Sequence, residues 1–208
     1  MHLSWNNKKD VARFIRILQE GMVIVGSSDT VLGLYADSTY QGFCALNALK
    51  ARGEKPYLLL IESKKKAECF IDSSYLLQME KIIDACWPGP LTVIFPAKAT
   101  TPSYIMGKDC TVAVRVPAHQ ELLNVLKNFN GLFSTSANIS GCPVPGSMAE
   151  LDPELAQKIE YSIISTHEVK TTTPSTIIQW MPAGFTMIRE GAYSQHFLNQ
   201  FIPATGKH

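Results

Sequence analysis

The sequence predicts a layered α/β or α+β domain, and three observations carry that prediction. Apolar residues recur at helical spacing in several segments, short apolar runs of strand length lie between them, and glycine or proline punctuates most junctions. At 208 residues the chain can bury a sizeable core, and residues 1–208 are read as one domain. A hydrophobic share of 46% and a charged share of 18% are those of a globular protein. The net charge of +1 argues against wholesale polyanion binding, so any basic surface must be local. No internal repeat, linker or low-complexity segment interrupts the pattern.

Two further exclusions follow from composition. No apolar run approaches the roughly eighteen residues of a spanning helix, and Asn6, Asn7, Lys8, Lys9 and Asp10 leave no signal-peptide core, so a soluble cytoplasmic protein is expected. Cys44, Cys69, Cys86, Cys110 and Cys142 are odd in number, scattered and never spaced Cys-x-x-Cys; they are expected as reduced thiols, mostly small core residues. The His residues lack metal-ligand spacing, so no structural zinc site is expected.

Taken in order, Val11, Phe14, Ile15 and Leu18 define a first helix that Gly21 can stop, and Met22 to Val25 is a short buried strand. Gly26-Ser27-Ser28-Asp29-Thr30 is a polar turn before Val31-Leu32-Gly33-Leu34. Such a turn is either a connector or a place where α/β proteins contact ligands. A second helix runs over residues 41–51 with Phe43, Leu46 and Leu49 inward, ended by Gly53. Lys50, Arg52 and Lys55 crowd its C-terminus, where the helix dipole favours cations that ordinarily point into water. Tyr57 to Ile61 is an apolar strand, and Lys64-Lys65-Lys66 a solvated patch whose functional alternative is an RNA contact.

Leu76, Met79, Ile83 and Cys86 predict one more helix, stopped by the rigid turn Trp87-Pro88-Gly89-Pro90, after which Leu91 to Phe95 is a strand and Pro96 to Gly107 a loop. Thr111-Val112-Ala113-Val114-Arg115-Val116 alternates cleanly, putting the valines on one face and Thr111, Ala113 and Arg115 on the other. An arginine so placed either pairs with an internal carboxylate or binds an anionic ligand; few acidic residues lie near in sequence, which favours the ligand. Leu122, Val125, Leu126 and Phe129 form the next helix. The run Leu132-Phe133-Ser134-Thr135-Ser136-Ala137-Asn138-Ile139-Ser140-Gly141 then starts as an apolar strand and turns polar. If it stays extended, Ser134, Ser136 and Asn138 share a face; the bland alternative is a turn whose side chains satisfy their own backbone. After the stiff Cys142 to Gly146 loop, Ser147 with Glu150 suggests a capping box and Asp152-Pro153 a helix start. Residues 162–165, 175–180 and 185–189 read as the last strands.

Seven short motifs in fixed order resemble the YrdC-like threonylcarbamoyl-adenylate synthases. They are Ser28 to Leu34, Lys50-Ala51-Arg52, Trp87 to Thr92, Val114 to His119, Ser134 to Gly141, Pro174 to Ile178 and Arg189-Glu190-Gly191, spanning about residues 21–191. The resemblance implies a twisted mixed sheet with flanking helices around a basic cavity, in the short form without a second C-terminal domain. It implies a nucleotidyltransferase that joins L-threonine, bicarbonate or CO2, and ATP into threonylcarbamoyl-adenylate and pyrophosphate, an intermediate handed to a transferase complex that modifies tRNA. By the same resemblance, Lys50, Arg52, Ser136 and Asn138 form the catalytic set. Those four with Thr111 and Arg189 contact ATP, while Thr30, Arg115, Ser134 and Ser175 hold threonine. Mg2+ is expected to arrive with ATP, since no carboxylate cluster marks a protein site for it. Three departures from the family pattern stand out: Ser27-Ser28 for its usual Pro-Thr, Leu32 for a frequent Tyr, and Gly53 for the proline that normally follows the arginine. Loss of proline loosens a turn and the hold on Arg52, so lowered activity, or a paralogue that only binds RNA or nucleotide, is the competing reading.

Overall fold

The structure, a computed structural model, describes residues 1–50, 56–139, 141–164 and 173–202. Its strands are β1 (His2–Ser4), β2 (Ile24–Gly26), β3 (Gly33–Asp37), β4 (Leu58–Leu60), β5 (Leu91–Pro96), β6 (Thr111–Arg115), β7 (Leu132–Ser136), β8 (Tyr161–Ile164), β9 (Thr176–Met181) and β10 (Gly184–Arg189). The helices are α1 (Lys8–Gln19), α2 (Tyr40–Lys50), α3 (Lys64–Ala67), α4 (Ser73–Gln78), α5 (Glu80–Cys86), α6 (Gln120–Leu126), α7 (Pro153–Lys158) and α8 (Gln195–Leu198). The ten strands among the described residues join one mixed sheet in the order β1-β8-β2-β3-β7-β4-β6-β5-β9-β10. The fold is thus a mixed α/β sheet with flanking helices, as the sequence predicts.

Strand alternation divides the core between the two faces of this sheet. Val25, Leu34, Ala36, Leu59, Val112, Val114, Phe133 and Ile178 point to one face, with Leu46 of α2, Leu76 of α4 and Ile82 and Ile83 of α5 packed on them. Ile24, Tyr35, Leu60 and Leu132 point to the other, beneath Phe14, Ile17 and Leu18 of α1 and Leu122, Val125 and Leu126 of α6. Helix starts follow local side-chain chemistry: Asn7 accepts from Lys9 N–H, and Asp152 accepts from the N–H groups of Glu154 and Leu155 just before Pro153.

Several expectations are corrected. The helix expected through Leu76 to Cys86 breaks at Met79, which ends α4 and starts α5 with a non-helical φ of −100° and ψ of 10°. Breaking there lets Leu76, Met79, Ile82, Ile83 and Cys86 all reach the core. Of the five cysteines only Cys86 is buried; Cys44, Cys69, Cys110 and Cys142 are free and exposed, because their positions face outward from α2 and from turns. The lysine patch is at the surface as expected, with Lys64 paired to Glu80 at 2.9 Å and Asp84 at 2.8 Å, Lys66 donating to Asn130, and Lys65 exposed. The Ser147–Glu150 pair forms in part: Glu150 accepts from Ser147 Oγ and from Gly146 N–H, around a 3-10 turn at Met148–Glu150. No helix among the described residues is long and apolar enough to cross a membrane.

Candidate active site

Helices α1 and α6 cover only part of their face of the sheet, and the remainder opens into a cavity of about 400 Å³. Its floor is made of the strand positions that alternate away from the other core: Leu58 and Leu60 of β4, Ala113 and Arg115 of β6, Thr92 and Ile94 of β5, Ser134 and Ser136 of β7, and Ile177 of β9. Ser28 and Thr30 enter from the turn after β2 and Gly33 from the start of β3, and Pro174, Ser175, Ile188 and Arg189 close the far side. All four residues expected to hold threonine, Thr30, Arg115, Ser134 and Ser175, therefore line one cavity with Ser136 and Arg189.

Arg115 is 3% exposed and tightly held. Its Nε donates to Gly89 O at 3.0 Å, Nη1 donates to Thr30 Oγ1 at 3.0 Å, and Nη2 pairs with Asp29. The internal carboxylate, the less favoured of the two readings from sequence, is thus present, supplied 86 residues away by the polar turn. The second oxygen of Asp29 accepts from Ala118 N–H at 2.9 Å, which fixes the carboxylate and, through it, the fork. A guanidinium has five N–H donors and these bonds use three, leaving two on a group that faces the cavity.

Arg189 reaches the same cavity through a bulge. The β9–β10 register slips between Met187 and Arg189, so neighbours Ile188 and Arg189, which a regular strand would send to opposite faces, both line the cavity. Its Nη2 donates to Ser175 O at 2.7 Å and Ser175 Oγ at 3.2 Å, and Ser175 Oγ in turn bonds Thr92 Oγ1 at 2.9 Å. Burial lowers the Arg189 pKa from its ordinary value, and the positive charge of Arg115 lowers it further. Two guanidinium groups that repel across one cavity make it a place for anions.

At the end of β7 the chain leaves the strand after Ser136, so the extended run through Asn138 does not form. Ser136 Oγ donates to Asn138 Oδ1 at 2.6 Å, and Asn138 Nδ2 donates to Cys142 O at 2.5 Å. Lys50 does not point into water: it is 5% exposed, and its Nζ donates to Ser136 O at 2.9 Å, to Asn138 O, and to Asn138 Oδ1 at 3.3 Å. Lys50, Ser136 and Asn138 are therefore brought together, with Ser136 alone of the three lining the cavity. Thr111 shares the Arg115 face but sits at the strand's start, where its Oγ1 bonds Asp109 at 2.8 Å, outside the cavity lining. Arg52 and Gly53 lie outside the described residues. Ser27 and Ser28 replace the expected proline turn with a hydroxyl that accepts from Thr30 N–H at 3.2 Å, and Leu32 packs in the core rather than the cavity.

Thr92, Thr135 and Ile188 line the site without having been assigned a role there from sequence. Alternation along Leu91 to Pro96 could have found Thr92, since it falls opposite Leu91, Val93 and Phe95; the bulge that brings the half-exposed Ile188 to the cavity has no such signal. No group of three or more His, Cys, Asp or Glu among the described residues could hold a metal ion. Among the described residues no Asp or Glu lines the cavity, and both oxygens of Asp29, which pairs with Arg115 there, are engaged, so these side chains do not fit a protein-held cation.

A mixed sheet whose uncovered face collects hydroxyls and paired guanidinium groups defines a class, and the chain belongs to it: the Sua5/YciO/YrdC family, described as "Telomere recombination", matches residues 16–191. Among its relatives, the threonylcarbamoyl-AMP synthase of Shigella flexneri is 34% identical over 64% of this chain and 72% of the relative. That of Klebsiella pneumoniae subsp. pneumoniae is 33% identical over 68% of this chain and 76% of the relative. Among solved structures, P. abyssi Sua5 complexed with L-threonine superposes with a TM-score of 0.86 at 25% identity, covering 99% of this chain. This chain spans 62% of the length of that Sua5.

Proposed function

We propose that this protein is a threonylcarbamoyl-AMP synthase, a nucleotidyltransferase that forms threonylcarbamoyl-adenylate and pyrophosphate from L-threonine, bicarbonate or CO2, and ATP. The observation that carries the reading is the gathering of Thr30, Arg115, Ser134 and Ser175 with Ser136 and Arg189 around one cavity. The relatives that bear this name and the Sua5 complex with L-threonine support it over a paralogue that only binds RNA or nucleotide.

The chemistry asks for what the cavity offers. The threonine nitrogen takes up CO2, and an oxygen of the resulting carbamate attacks the α-phosphate of ATP as pyrophosphate leaves. Carboxylate, carbamate and phosphates must be held in line, so catalysis is largely positioning and charge neutralisation. Arg115, with two donors to spare and Asp29 fixing its plane, suits the threonine carboxylate, and Thr30, Ser134 and Ser175 supply hydroxyls beside it. Arg189, Ser136, Asn138 and Thr111 are assigned to nucleotide, with Arg52 as the phosphate cation. Lys50 acts by fixing the Ser136–Asn138 turn that carries the other catalytic groups. Mg2+ is assigned to the ATP itself. The product is passed to a threonylcarbamoyl-transferase complex for tRNA modification.

Purified protein given ATP, Mg2+, bicarbonate and L-threonine is expected to release pyrophosphate, and omission of threonine or bicarbonate to stop it. Release indifferent to threonine overturns the reading.

A further inference from the structure

Ser175 and Arg189 sit at the ends of two different strands, and something must hold them together at the cavity wall. Ser175 precedes β9 and Arg189 ends β10; each carries a side chain to the cavity, while Thr176, between Ser175 and Ile177, points to the opposite face and is fully buried. Its hydroxyl accepts from Gly191 N–H at 3.1 Å and from Tyr193 N–H at 2.8 Å, and donates to Tyr193 O at 2.7 Å. One donor and two lone pairs are thus all used. Ala192 N–H adds a bond to Pro174 O at 3.1 Å. The chain after Arg189 is therefore clamped across the back of the segment that delivers Ser175. The approach is close: a Cβ on Gly191 would lie 2.3 Å from Pro174 O. Arg189 Nη2 on Ser175 O completes a ring of bonds through the two strand ends.

We infer that Thr176 is a positioning residue of the catalytic site, whose hydroxyl, on the far side of the sheet from the substrates, sets the distance between the Arg189 and Ser175 groups in the cavity. The inference rests on the proposed function, because Ser175 is there assigned to threonine and Arg189 to ATP. Replacing the hydroxyl by a methyl takes the side-chain partner from two N–H groups and one carbonyl that are partly buried, so the strap lifts and the two ligand groups drift apart. Displacements on the order of 1 Å are known to cost up to about a hundredfold in rate when positioning is the catalytic device.

The test is the steady-state kinetics of threonine-dependent pyrophosphate release by Thr176→Val, Thr176→Ser and Gly191→Ala, with thermal melting alongside. Thr176→Val is expected to raise the KM for threonine and for ATP by about tenfold or more. Thr176→Ser, which keeps the hydroxyl, is expected to restore both. Gly191→Ala lifts the strap by steric contact with the Thr176 hydroxyl intact, and is expected to reproduce the KM increase, so the idea stays testable if the valine variant does not fold. A purely structural role would lower the melting temperature and the active fraction with both KM values unchanged, and that result overturns the inference. Wild-type protein that shows no threonine-dependent release sinks the functional reading instead, and calorimetric titration with ATP, compared between wild type and Thr176→Val, then still reports on the strap.

Discussion

At the scale of single residues, Arg115 decides most about the site. It is a buried cation whose planar fork meets a backbone carbonyl, a hydroxyl and a carboxylate at once. A lysine at this position would keep the charge opposite Asp29 but lose the fork that meets Gly89 O and Thr30 Oγ1 while presenting two more donors to a ligand. Arg115→Lys is therefore expected to weaken threonine binding far more than ATP binding, as measured by titration calorimetry with each ligand. Equal losses for both would return Arg115 to a structural or phosphate role. Removing the charge outright is a harsher change, because it strands Asp29, whose side chain is only 9% exposed; breaking a buried pair from one side typically costs about 3–5 kcal/mol. Lys50 shows the same principle from the other direction, a cation at a helix end that the dipole alone would leave in water, drawn inward by carbonyls of the β7 turn.

Among the elements, α7 is set by its own sequence, since Asp152 accepts two N–H bonds at its start and Pro153 fills the first helical position. Asp152→Ala is expected to destabilise the protein by about 1 kcal/mol. For a chain of this size that is a fall of roughly 2–4 °C in melting temperature, with pyrophosphate release unchanged. A shift several times larger would mean that Asp152 supports more than the helix start. Elements with such local signals were the legible part of this fold: the α1 and α6 faces, the alternating β6 and the proline-started α7 follow from spacing and caps. The strand β1 was not legible, because three residues carry no period and its partner β8 lies about 160 residues away. The break at Met79 and the bulge at Ile188 likewise have no local signal: the first goes with core contact and the second with a register shift against β9. At the site, residue types and the hydroxyl-rich stretch were readable, whereas the Arg115–Asp29 pair and the burial of Lys50 depend on chain segments 86 residues apart or more.

For the molecule as a whole, one sheet with a core on each face gives a definite response to alkali. Tyr35 sits in the core under α1 and α6, where burial pushes its hydroxyl up from 10 to about 12 despite a hydrogen bond with Ser28 and the nearby charge of Arg115. On the opposite face burial pushes the Cys86 thiol up from 9.0 to about 11, and burial also raises Tyr193. In each case the folded protein holds its proton more tightly than the unfolded chain. Below the unfolded pKa values both states are protonated and the stability is fully present. As pH rises from about 9 to about 12 the unfolded chain ionises first, so stability falls across that window and the contribution is gone above the folded values. For Tyr35 alone the two-unit rise corresponds to about 3 kcal/mol. Urea denaturation of wild type and Tyr35→Phe at several pH values from 8 to 12 isolates that share. Phenylalanine cannot ionise, so the variant loses the Ser28 bond and starts lower, but its stability is expected to fall less steeply. The difference between the two proteins should therefore shrink or invert by an amount near that figure as pH passes 10. Parallel curves across the whole range would show that Tyr35 ionises as easily in the folded protein as in the unfolded chain, and that the core beneath α1 and α6 admits water.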